Sequence, residues 1–125
     1  MNDDLEQIYS QLEGVLKRYA PPLALHTKPG DLLELWSEKA ITIEGRKLKE
    51  VYFAGLAPHK GYIGFYFMPV YVDAEISSLF DPKLLKTLKG KSCFHISRLD
   101  DDLLSAIEDA LQKGFELYRQ RDWLP

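Results

Sequence analysis

The spacing of apolar positions changes along this chain, and each change marks an element. From Asp4 to Tyr19, apolar residues recur at Leu5, Ile8, Leu12, Val15, Leu16 and Tyr19. Steps of three and four line one side of a helix. Asn2 or Asp3 can cap its free amides, and Pro21-Pro22 ends it. Gly14, inside the stripe, predicts a close approach by another backbone or a bulky side chain.

The pattern then shortens. Leu23 to His26 reads as a brief extended piece before the turn residues Lys28-Pro29-Gly30-Asp31, and Leu32 to Ser37 has the length of a strand. Ala40 to Glu44 sets Ile41 and Ile43 against Thr42 and Glu44, the alternation of an edge strand. The strongest signal is VYFAGLAPHKGYIGFYFMPVYV, Val51 to Val72. Its two aromatic and β-branched runs flank Pro58-His59-Lys60-Gly61, where proline presets one turn angle and glycine accepts positive φ, so it predicts a hairpin. Neither run alternates cleanly, as expected of central strands covered on both faces.

Beyond the hairpin, Asp81-Pro82 opens a short helix carrying Leu84, Leu85 and Leu88, which Gly90 ends. Ser92 to Ser97 alternates again as the last strand. Asp100, Asp101 and Asp102 then open a long final helix with the stripe Leu103, Leu104, Ile107, Ala110, Leu111, Phe115 and Tyr118. It should end near Arg121, leaving Trp123-Leu124-Pro125 to fold back or fray.

These elements predict an α+β domain, an antiparallel sheet of about five strands with the N- and C-terminal helices packed on one face. Phe53, Ile63, Phe65, Phe67, Phe94 and Ile96 would face the helices. By parity the opposite face would carry Trp36, Tyr52, Tyr62, Tyr66, Met68, Cys93 and His95, with the small Ala54 and Gly64 between them. Rings with an apolar body and a polar tip suit a ligand or partner better than bare water. Tyr52, Tyr62, Tyr66, Cys93, His95 and Trp36 are therefore the candidate binding residues, for a small molecule, a protein or a second copy of the chain.

Composition narrows the classes. A chain of 125 residues is one domain, and 46% apolar with 28% charged residues excludes disordered and membrane compositions. The start, MNDDLEQ, is acidic where a secretory signal needs positive charge, and the one cysteine forms no internal disulfide, so a cytoplasmic protein is expected. A net charge of −3 gives no basis for nucleic-acid binding. Lys83, Lys86, Lys89, Lys91 and Arg98 form the one local basic cluster, read as a solvated face.

Candidate chemistry adds little. Cys93 and His95 share a strand face, but two ligands fall short of the four that structural metal sites use. Gly90-Lys91-Ser92 lacks the earlier glycine of a phosphate loop and precedes a strand rather than a helix. No nucleophile elbow or triad spacing is present, so neither an enzyme nor a cofactor is indicated.

Several segments carry a family resemblance: Val51 to Gly55, His59 to Tyr66, Met68 to Tyr71, and Leu88 to Ile96 with its Gly90-Lys91 pair ahead of the last strand. Over Leu32 to Trp123 the chain resembles the YdhG-like domains of unknown function. The resemblance implies a compact α+β domain with helices on one side of an antiparallel sheet. Some relatives are described as frataxin-like iron chaperones, which makes iron binding through first-helix carboxylates the alternative to a non-enzymatic binding module. The dense acidic ridge of a true frataxin is missing from the first helix and first strand.

Overall fold

The computed structural model describes residues 2–125. Helix α1 spans Asp3–Leu16 and runs on as a 3-10 turn, Lys17–Tyr19. Asn2 caps it, its side-chain oxygen accepting from the Leu5 amide at 2.8 Å, while Asp3, Asp4 and Glu6 complement the positive end of the helix dipole. Leu5, Ile8, Leu12, Val15 and Leu16 are buried, so the three-and-four stripe is the packing face.

Strands β1 (Ala24–Lys28) and β2 (Leu32–Ser37) follow, then β3 (Ile41–Ile43), β4 (Arg46–Leu48), β5 (Val51–His59) and β6 (Tyr62–Phe67). A short helix α2 (Met68–Val72), a 3-10 stretch (Ala74–Leu79) and α3 (Pro82–Leu85) lead to β7 (Leu88–Lys89), β8 (Cys93–Ile96) and the long helix α4 (Asp101–Gln120). The main sheet has six antiparallel strands in the order β1-β2-β5-β6-β8-β7, and β3 with β4 forms a separate two-stranded ribbon.

The phenylalanine face is the core. Phe53, Ile63, Phe65, Phe67, Phe94 and Ile96 are fully buried, as the alternation predicts. Phe53 is its hub, with ring centroids 6.0 Å from Tyr19 just past α1, 5.6 Å from Phe67, and 6.1 and 5.2 Å from Phe115 and Tyr118 of α4. Both terminal helices therefore cover this one face.

Besides the helix opened by Asp81-Pro82, which ends at Leu85 and leaves Leu88 to β7, four expectations change. Met68 to Val72 does not continue the hairpin strand: Pro69 has no amide to donate to a ladder, and the segment turns into α2, which removes Met68 from the sheet face. Ile41–Ile43 is not an edge of the main sheet but pairs with β4, joined through Glu44 and Gly45 at φ 50° and 79°. Gly14 is exposed with open space around it; the crowded helical glycine is Gly114, where a Cβ would overlap the Phe67 ring and lie 2.7 Å from Pro69 Cγ.

The fourth change concerns parity. Trp36 is opposite Tyr52 while Leu35 is opposite Ala54, so one extra residue, Phe53, is inserted into β5 as a bulge. Phe53 and Ala54 consequently both point to the helices, and Gly55, not Ala54, lies on the open face. This explains why β5 does not alternate: the bulge breaks its phase, and Tyr52 lies across Gly55 as a lid. No second layer of helices is needed.

Candidate functional site

The face away from the helices is assembled by strand register. Trp36 lies opposite Tyr52, Gly55 opposite Tyr66, and Tyr66 opposite Cys93; Tyr62 is paired with His59, and Gly64 with His95. All six candidate residues therefore share this face, each half-buried. Two glycines form its floor. A Cβ at Gly55 would overlap the Tyr52 hydroxyl and come 2.7 Å from the Leu33 carbonyl oxygen; at Gly64 it would sit 3.0 Å from Tyr66 and 3.2 Å from His59. Missing side chains at these two positions let the neighbouring rings lie down on the sheet.

The rings fall into two groups. At one end His59, Tyr62 and His95 stack in series, with centroids 4.7 and 3.9 Å apart and planes within 18° and 15°. His59 Nε2 and the Tyr66 hydroxyl share a 2.9 Å hydrogen bond. At the other end Trp36 and Tyr52 meet edge to face, 5.2 Å apart at 76°. The Trp36 indole N–H donates to Glu34 at 3.2 Å, and Lys28 bonds the same carboxylate at 2.8 Å. That bond from Lys28 holds the Glu34 carboxyl below its usual range against the opposing effect of burial, and the indole contributes in the same direction.

Burial dominates the remaining titrations. It pushes the Tyr52 phenol well above its ordinary value, with the Glu34 charge adding to it. Burial also raises the Cys93 thiol, against a smaller opposing effect of the Tyr66 hydroxyl bonded to it. A thiol shifted that way is protonated at neutral pH, the opposite of an activated nucleophile.

The face becomes concave where Trp36 and Tyr52 meet the β3–β4 ribbon. A cleft of about 640 Å³ opens there between the ribbon, the start of β5, α2 and the C-terminal segment. Ile43, Leu48 and Val51 line one side, and Met68, Tyr71 and Val72 line another. Trp123 closes the end: it folds back and is buried, its amide donating to the Tyr118 carbonyl at 2.9 Å and its carbonyl accepting from the Ser37 hydroxyl. Glu44, Glu50 and Arg121 supply the charges. Of these, only Trp36 and Tyr52 are among the binding residues expected from sequence; Met68 is expected on the open face and reaches the cleft from α2 instead.

Two other groupings occur. Lys83, Lys86 and Arg98 line a shallower cleft of about 430 Å³ beside His95, where Lys83 is engaged by Asp102 at 3.0 Å. Of the remaining lysines in the cluster, Lys91 sits 5.6 Å over the Tyr71 ring and Lys89 lies on the outermost strand, β7. His26, Glu38 and Glu50 bring three donor atoms within 4.8 Å of one another, all open to solvent. Asp3, Asp4, Glu6 and Glu13 of α1 do not join any such group among the described residues. Cys93 and His95 likewise gather no third donor there.

Among the described residues no helix is long and apolar enough to cross a membrane. No family model matches the chain, and comparisons with curated proteins and with solved structures give no match.

Proposed function

We propose that this chain is a non-enzymatic binding domain whose recognition surface is the sheet face carrying Trp36, Tyr52, Tyr62, Tyr66, Cys93 and His95. One observation carries the reading: the half-buried rings of this face run into a cleft of about 640 Å³ whose walls are mostly apolar and aromatic. Small-molecule sites have this size and composition, about 300–1,000 Å³ with few polar groups. The raised thiol of Cys93 argues against nucleophilic chemistry on the same face. The resemblance to the YdhG-like domains fits this reading, since most of its segments lie on β5, β6 and β8, three of the strands that build the face.

Iron delivery, the alternative, has less support. The donors that gather are His26, Glu38 and Glu50, one histidine and two carboxylates at solvent, and none belongs to α1. A fragment library screened by protein-observed NMR tests the main reading. Shifts should cluster on Trp36, Tyr52, Met68 and Trp123; hits confined to the outer surfaces of α1 and α4 would remove it.

A further inference from the structure

The cleft contains four aromatic side chains, Trp36, Tyr52, Tyr71 and Trp123, and ring faces are electronegative enough to hold a cation. Two of the four already do so. Lys91 Nζ lies 5.6 Å from the centre of the Tyr71 ring, and the Arg121 guanidinium 5.2 Å from that of Trp123. Trp36 and Tyr52 carry none among the described residues, yet their planes cross at 76° and form a two-walled corner. Both walls are fixed, Trp36 through its indole bond to Glu34 and Tyr52 by lying across Gly55.

Charge points the same way. Glu44 and Glu50 line the cleft, and among the described residues Arg121 is the one cationic side chain in its wall. Arg121 is matched by Asp73 at 3.6 Å. A carboxylate ligand would meet two glutamates, neither of them in an ion pair with a lysine or arginine among the described residues, whereas a cation would be drawn to both the rim and the rings. The volume, about 640 Å³, exceeds a tetramethylammonium head, and Ile43, Leu48 and Val51 offer apolar wall beyond the corner.

We infer that the Trp36–Tyr52 corner binds a small organic ammonium compound, a quaternary or N-methylated amine with a short apolar tail. The inference rests on the proposed binding role of this face and specifies its ligand. The ammonium head sits in the open angle that the two touching rings form, with Glu50 and Glu44 at the rim, and the tail lies along the ribbon. Weakly hydrated alkylated ammonium groups suit an aromatic corner better than a primary amine, which gives up more hydration on entry.

Both tryptophans of the chain line this cleft, so intrinsic emission reports its occupancy directly. The full chain is titrated with choline, with butyltrimethylammonium, with dimethylbutanol, in which a quaternary carbon replaces the nitrogen, and with tert-butylacetate, the anion of similar shape. Butyltrimethylammonium should bind most tightly, and dimethylbutanol about tenfold more weakly than choline. Trp36→Leu, followed by the Trp123 indole resonance, should lose most of the response. Glu44→Gln/Glu50→Gln, which changes exposed residues alone, should weaken choline while leaving dimethylbutanol unchanged.

Equal binding of choline and dimethylbutanol would overturn the inference and leave a merely apolar cleft. Preferential binding of tert-butylacetate would overturn it in favour of a carboxylate on Arg121. Silence across the series would overturn it too, and the fragment map would then decide the broader reading independently.

Discussion

The hydroxyl of Tyr118 donates to the main-chain carbonyl of Tyr52 at 2.6 Å. This bond ties the last turn of α4 to the strand residue that forms one wall of the cleft. Tyr52 immediately precedes the bulge at Phe53, where the β2–β5 ladder is interrupted, so the phenol supplies a partner where regular pairing stops.

Tyr118→Phe keeps the ring packed against Phe53 and Trp123 and removes the donor alone. Leaving a partly buried carbonyl without its partner should cost about 1 kcal/mol. Chemical denaturation should show a lower midpoint with an unchanged slope. A midpoint equal to wild type would mean that the bond contributes nothing net.

The two helical glycines should respond to alanine with opposite signs. At Gly14 nothing approaches within 4 Å and the position is exposed. Gly14→Ala should therefore stabilise by about 0.5–1 kcal/mol through helix propensity and a less flexible unfolded chain. At Gly114 the new methyl would overlap Phe67 and press on Pro69, so Gly114→Ala should destabilise by about 1–3 kcal/mol. Thermal melts of the pair decide it.

Glu44 occupies the left-handed region at φ 50°, the first of two turn positions that favour Asn or Gly. Glu44→Asn should raise stability by about 0.5–1 kcal/mol. The same change removes one carboxylate from the cleft rim, so it should weaken choline binding. A gain in melting temperature accompanied by unaltered choline affinity would show that the strained glutamate has no part in the site.

Acid should loosen the Trp36 wall. The folded-state carboxyl of Glu34 is depressed, chiefly by Lys28, so its contribution to stability is present above the unfolded carboxylate value of 4.5 and is lost as pH falls through the folded one. As pH falls below 4.5, wild type should lose more stability than Glu34→Gln, which cannot titrate but still accepts from the indole. Parallel losses in the two proteins would remove the assignment.

Much of the fold is legible in the residue pattern, and the reasons are local. The stripes of α1 and α4 and the odd-and-even sorting of the hairpin and β8 need only near neighbours, and the six residues of the phenylalanine core follow from that sorting. The inserted Phe53 is invisible in Val51-Tyr52-Phe53-Ala54-Gly55 because apolar and small residues stand on both sides of the phase break, so simple alternation puts Ala54 on the wrong face. The short strands β4 and β7 are set by their partners and not by their own few residues. The cleft draws on Trp36, Ile43, Tyr52, Met68, Tyr71 and Trp123, which no spacing rule links; the sign that could have been read was the tryptophan three residues from the end, too large and apolar for a fraying tail.

The additional residue in β5 makes this strand a sentence written in two frames. Downstream of the break, every residue that meets the tyrosines of β6 is offset by one from where the first two residues would put it. A chain sharing this surface should thus be sought by an aromatic residue followed by glycine three places later, as in Tyr52 and Gly55, and not two places later as an unbroken strand would have it. Deleting Phe53 would restore an unbroken alternation that keeps Tyr52 and Gly55 outward and Ala54 inward, at the cost of the ring that Phe67, Phe115 and Tyr118 pack around.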